Sequence, residues 1–135
     1  MALPYIPARG EILICDFNTG FRQPEMVKRR PAIVVTHKSS HGRRLCTVVP
    51  LSTTAPAPVK HWHYALSHVQ IPGWDPQGKT MWAKCDMLAT VSFDRLRKPY
   101  KKTQHSGRKY TAVFLCPEDL TSIEGCIKAY LGLNG

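Results

Sequence analysis

Carboxylates are scarce in this chain: nine Asp and Glu stand against 19 Lys and Arg, a formal net charge of +10. Such a balance favours an anionic partner, whether nucleic acid, an acidic membrane surface or an acidic protein, and charge alone does not choose among them. Long apolar runs are missing too. No segment approaches the roughly 18 consecutive apolar residues of a membrane-spanning helix, and Met1–Ile6 has no charged leader, so neither a signal peptide nor a transmembrane helix is expected. No two of the five cysteines form a C-x-x-C pair, which argues against a zinc ribbon or a disulfide framework. Reduced, packed thiols and a cytoplasmic location are the expectation. There is no internal repeat, and no G-x-S-x-G, H-E-x-x-H or P-loop motif.

The chain has 135 residues, 43% of them hydrophobic, which suits one folded domain spanning 1–135. Eleven prolines and nine glycines point to many short elements joined by turns. Glu11 to Phe17 reads as a strand, with Ile12, Ile14 and Asp16 on one face and Leu13, Cys15 and Phe17 on the other. Pro31 to Thr36 and Arg44 to Leu51 read as strands, Pro50 marking a strand end or an exposed edge. His37 to Arg43 reads as a hairpin loop between them. His61 to Val69, Thr80 to Cys85, Met87 to Phe93 and Tyr110 to Leu115 are further strand-like stretches. Ile71 to Lys79 reads as a loop, Asp94 to Arg97 as one helical turn, and Pro99 to Lys109 as a basic loop. From Pro117 the period changes. Leu120, Ile123, Ile127, Tyr130 and Leu131 recur at helical spacing, and Gly132 and Gly135 stop the helix. About five to seven short strands followed by one amphipathic helix predict a mainly β fold, a small barrel closed by a C-terminal α-helix.

Three segments carry groups suited to phosphodiester chemistry. Gly20 to Pro31 places Glu25 and Arg30 five residues apart, beside Lys28 and Arg29, just ahead of a buried strand. A guanidinium at the mouth of a rigid strand can meet a phosphate with two parallel N–H donors. Val49 to Thr54 runs a strand into Ser52, Thr53 and Thr54, whose hydroxyls and amides can hold a phosphate oxygen. Trp82, Lys84 and Asp86 alternate along a third strand, so that a stacking ring, an amine and a carboxylate share one face. Each segment taken singly also has a plain reading, as a solvated loop, a Ser/Thr turn or a surface ion pair. His61 and His63 share a strand face without a clear third ligand, so no metal site is expected. Arg95, Arg97, Lys98, Lys101, Lys102, Arg108 and Lys109, with Tyr100 and Tyr110 between them, fit a surface that follows a nucleic-acid backbone.

Taken in order, GEILICDF (10–17), Glu25-x4-Arg30-Pro31 followed by AIVV (32–35), VVPLSTT (48–54), AKCDML (83–88) and a terminal helix resemble the MazF/PemK (Kid) family of type II toxins, over nearly the whole chain. The resemblance implies an SH3-like β-barrel, a homodimer, and metal-independent, sequence-specific cleavage of single-stranded RNA by 2′-OH attack, with no cofactor. It also implies inhibition by a cognate antitoxin with an acidic tail. Arg30 matches the family's catalytic arginine, Ser52 its strand-end Thr/Ser, Lys84 and Asp86 the Arg and Asp of the Kid-type Arg-Cys-Asp motif, and Glu25 an acidic residue of the first long loop. Arg30 is expected to clamp the phosphate with Ser52. Asp86, or else Glu25, is expected to act as general base and Lys84 as proton donor. Phe21, Lys28, Arg29, Thr53 and Trp82 are expected to bind substrate, Phe21 and Trp82 by stacking bases. Two other readings share a barrel of this kind. A gyrase-poisoning toxin of the CcdB type uses an aromatic C-terminal tail, which Leu131–Gly135 lacks. A non-catalytic nucleic-acid-binding barrel would bind RNA with strong salt dependence and leave it intact.

Overall fold

The structure, a computed structural model, describes residues 3–66, 69–74, 77–105 and 107–133. Ser67 and His68 of the expected fourth strand, Asp75 and Pro76 of the following loop, Ser106, and Gly135 at the chain end lie outside them. The chain runs β1 (Glu11–Asp16), β2 (Arg29–Val34), β3 (Leu45–Ser52), β4 (His63–Leu66), β5 (Met81–Lys84), β6 (Ala89–Ser92), β7 (Leu96–Arg97), β8 (Tyr100–Thr103), β9 (Gly107–Tyr110), β10 (Val113–Phe114) and α1 (Pro117–Leu131). One antiparallel sheet follows the order β10-β1-β2-β3-β5-β4, with β6 added to β3 and β7 to β1. It curls into a half-barrel that α1 covers, which is the fold class the sequence predicts.

Alternation along the strands divides the apolar residues between two cores, as the pattern of β1 foretells. Ile12 and Ile14 pack with Ile33, Val49, Leu51 and Ala83 on one face. Leu13, Cys15 and Phe17 pack with Ala32, Val34 and Val48 on the other. Ile123 and Cys126 of α1 seal the first core, with Leu120 and Ile127 partly buried beside them. Tyr130 and Leu131, expected on the apolar stripe, stay exposed at its end. Pro117 begins α1, where its missing N–H costs nothing, and Glu118 and Asp119 face the positive end of the helix dipole. Gly132 closes it at φ 73, and the Leu133 N–H returns to the Lys128 carbonyl at 2.9 Å. The Tyr64 hydroxyl donates to Asp119 Oδ1 at 2.6 Å, and Arg9 pairs with Glu124, so α1 is tied to the sheet side at two points. Among the described residues, no helix is long and apolar enough to cross a membrane.

The helical turn expected at Asp94–Arg97 is a 3₁₀ turn at Phe93–Arg95 followed by strand β7 at Leu96–Arg97, and the structure departs from the sequence reading in other places too. Pro50 stands inside the sheet, opposite Ala32. On its other side β3 pairs with β6 through Leu45–Val48 and with β5 through Leu51–Ser52, so no neighbour needs the missing N–H at the handover. Lys38–Ser40, within the loop expected between β2 and β3, form a short 3₁₀ turn. Residues 99–109 are not a plain loop, because β8 and β9 form a separate exposed ribbon in which Lys101 faces Lys109 and Tyr100 faces Tyr110. The strand expected through Asp86 ends at Lys84, and Cys85–Met87 form a 3₁₀ turn.

Candidate active site

Register brings together residues that are far apart in sequence. The β2–β3 pairing ends at Ala32↔Pro50, and its continuation two residues along each strand sets Arg30 opposite Ser52. Ser52 in turn faces Trp82 of β5, which faces Ala65 of β4, and Lys84 faces His63. Directly opposed residues of antiparallel strands present their side chains on the same face. Arg30, Ser52, Trp82, Lys84 and His63 therefore share the face of the second core, beyond the point where its apolar residues end.

These groups act on one another. Burial lowers the Lys84 pKa from its ordinary value; the Asp86 carboxylate raises it and the Arg30 guanidinium lowers it further. Arg30 is half-buried, and its Nε is shielded from solvent without a hydrogen-bond partner. Ser52 is buried, and its hydroxyl oxygen accepts the Thr54 N–H at 3.1 Å, which fixes the turn that follows the strand. Asp86 leaves the strand in the 3₁₀ turn, so it does not share the strand alternation of Trp82 and Lys84. It approaches the same face by another route, with His63 Nε2 3.3 Å from Asp86 Oδ1. The distance is within hydrogen-bonding range but the alignment is not, and Oδ1 is buried with no hydrogen bond.

The other expected residues are distributed differently. Glu25 is exposed, and its Oε1 accepts the Arg22 N–H at 2.8 Å, so it closes its own loop. Phe21 packs edge-on against Phe17 with the Arg95 guanidinium 4.8 Å from its ring centroid, which ties it to the second core. Lys28 is exposed at φ 78, and its carbonyl accepts the Phe17 N–H. Arg29 faces away from Arg30, opposite Asp16. Thr53 and Trp82 are half-buried at the edge of the Ser52 position. Among the described residues, no three His, Cys, Asp or Glu side chains converge as metal ligands.

Arg29 opens onto a second feature, a cleft of about 470 Å³ on the opposite face of the sheet, lined by Ile14, Trp74, Arg97, Tyr100 and Lys101 among others. Arg97 and Arg108 stack on Tyr100 at 4.6 and 4.5 Å. Gly73 passes so close beneath the ribbon that a Cβ there would stand 2.5 Å from the Tyr100 carbonyl oxygen. The run of basic residues in the sequence signals this cleft, but its Trp74 wall comes from a distant loop and carries no such signal.

The chain matches, over residues 8–115, the model of the PemK-like, MazF-like toxins of type II toxin–antitoxin systems. It belongs to that family. Among solved structures, MazF from Deinococcus radiodurans superposes with a TM-score of 0.68 at 17% identity, covering 96% of this chain and 99% of that one. An endoribonuclease from mycobacterial species, in complex with its cognate antitoxin, superposes at 0.63 with 21% identity, covering 96% and 98%. The Mycobacterium tuberculosis toxin MazF-mt6 superposes at 0.63 with 15% identity, covering 93% and 99%. At these identities the likeness to each solved structure is one of fold. No curated protein sequence matches the chain. As a PemK/MazF-like toxin, the protein carries Arg30, Ser52 and Lys84 at the polar end of one sheet face, with Asp86 in the turn beside them.

Proposed function

We propose that this toxin is an endoribonuclease that cuts single-stranded RNA at preferred sequences without a metal ion. The observation that carries the reading is the half-buried Arg30, with a shielded, unpartnered Nε, on the sheet face of Ser52 and close enough to act on Lys84. A buried donor without an acceptor is costly, and an incoming phosphate oxygen satisfies it. RNA carries its own nucleophile in the 2′-OH. Asp86 takes the 2′-OH proton, the oxygen attacks the adjacent phosphorus, and Arg30 with Ser52 stabilises the charge gathering on the phosphate oxygens. Lys84 gives a proton to the departing 5′-oxygen. Its lowered pKa makes it the better donor, since arginine holds its protons tightly. The products are a 2′,3′-cyclic phosphate and a 5′-hydroxyl. Trp82 offers a ring beside Ser52 on which a base can stack. Glu25 as base, and Phe21, Lys28, Arg29 and Thr53 as substrate contacts, are secondary to this set.

The toxin is proposed to work in the cytoplasm as a homodimer restrained by an antitoxin with an acidic tail. The antitoxin complex of the mycobacterial endoribonuclease and the +10 net charge both support that partner. Cleavage of an end-labelled RNA in excess EDTA, with the new ends identified chemically, tests the reading. Activity abolished by EDTA, or ends bearing a 5′-phosphate, would overturn it.

A further inference from the structure

Asp86 lies in a short turn after β5, where strand alternation no longer sets the direction of its side chain. The side chain is about a third exposed, yet Oδ1 itself is shielded from solvent and accepts no hydrogen bond. A carboxylate oxygen in that position needs a donor. The donor in range is His63 Nε2, at 3.3 Å. His63 arrives there because β4 pairs with β5 so that it stands opposite Lys84, two residues before Asp86. The ring is held on its other sides as well. Its side chain is only 7% exposed, and Trp62 packs edge-on to it with centroids 6.1 Å apart. Nδ1 accepts the Lys60 N–H at 2.9 Å.

That last hydrogen bond decides where the proton sits. A neutral imidazole has one N–H and one acceptor nitrogen. With Nδ1 engaged as acceptor, the hydrogen is on Nε2, the atom that faces Asp86.

We infer that His63 is a positioning residue for this reaction, holding Asp86 by Oδ1 so that Oδ2 faces the RNA. The inference rests on the ribonuclease reading for its consequence, but not for its geometry. His63 is too enclosed to touch substrate, so it acts through Asp86. The proton balance is simple. The 2′-OH proton passes to Oδ2, the His63 Nε2–H stays in place, and Lys84 supplies the proton of the leaving oxygen. Lys84 from β5 and Arg30 from β2 are the cations at this face, and His63 adds a neutral, directional donor where a further cation would weaken the base. A base whose second oxygen is tethered loses less freedom in reaching the attack geometry.

The test uses the full chain and three readouts. Nitrogen NMR of the histidine rings reads the tautomer without any RNA, and the proton is expected on Nε2. His63→Phe keeps a ring but no donor, whereas His63→Gln places an amide N–H near the Nε2 position. With folding verified by circular dichroism, His63→Phe is expected to lower kcat roughly tenfold to a hundredfold at unchanged KM, and His63→Gln to keep most of it. In an Asp86→Asn background, His63→Phe is expected to cause no further loss. A ring proton on Nδ1, a His63→Phe rate equal to wild type, or a His63→Gln rate as low as that of His63→Phe would each overturn the inference. Wild-type protein that leaves RNA intact overturns the ribonuclease reading alone, and the tautomer then still decides the His63–Asp86 geometry.

Discussion

Replacing Arg30 tests the site most directly, because its surroundings fix the size of the effect. Its Nε is already buried without a partner, so truncation to alanine removes an unsatisfied donor rather than a made hydrogen bond. Folding stability should therefore change by no more than about 1 kcal/mol, readable as a small shift of the urea midpoint. The reaction should suffer far more. A preorganised donor acting on developing oxyanion charge contributes about 2.7–4 kcal/mol, so kcat is expected to fall roughly a hundredfold to a thousandfold. Arg30→Lys keeps the charge but loses the planar fork, and should fall between, by ~tenfold. A second consequence concerns Lys84, whose pKa Arg30 helps to hold down. Activity that needs protonated Lys84 declines as pH rises through its pKa. Without Arg30 that pKa rises, so the alkaline limb of the residual activity moves to higher pH. The assay is single-turnover cleavage of a fluorescent RNA across a pH series. A kcat for Arg30→Ala within about threefold of wild type, in a folded protein, refutes the assignment; so does a rise in KM alone, which would mark mere ground-state binding.

Removing the Asp86 charge should move the same alkaline limb the other way, to lower pH, because that carboxylate raises the Lys84 pKa; residual cleavage by Asp86→Asn across pH measures it. Ile123→Ala, at a fully buried position where α1 seals the first core, should cost about 2–5 kcal/mol in urea unfolding. Lys101→Ala with Lys102→Ala should weaken binding of long single-stranded RNA and flatten its log–log salt dependence by ~0.7 for each phosphate no longer neutralised, as read by fluorescence anisotropy. Of the five thiols, only exposed Cys116 should react quickly with Ellman's reagent in the native protein. Burial pushes the Cys15 and Cys85 thiols up to about 12 and that of Cys46 to about 11, so they should react only on unfolding.

The two faces of β1 were legible because each alternate residue is apolar and both faces are buried, and α1 was legible because Pro117, the apolar spacing and Gly132 agree. The ribbon of β8 and β9 was not. YKKT and GRKY are exposed almost throughout, so they carry no apolar periodicity; cross-strand pairing and rings stacked under guanidinium groups order them instead. Arg30, Ser52 and Lys84 could be named from the sequence as members of three separate segments. Their convergence is a property of antiparallel register, which no local pattern encodes. Asp86 was placed on the right side for the wrong reason, since the strand ends at Lys84 and the 3₁₀ turn, with His63 across from it, brings the carboxylate in. His63 itself was read only as half of an incomplete metal pair, because its partner lies in the turn after β5, a strand joined to its own by pairing and not by sequence.

The handover at Pro50 has an evolutionary corollary. Ser52 shares the face of Val48 and Cys46, which stand in the second core, because it lies four and six positions after them along the strand. Losing a single residue between them would turn Leu51 onto that face and carry the hydroxyl into the first core. Length variation that leaves the site intact is thus confined to segments outside these two strands. Strands β2 and β3 must keep their count for the chemistry to keep its place.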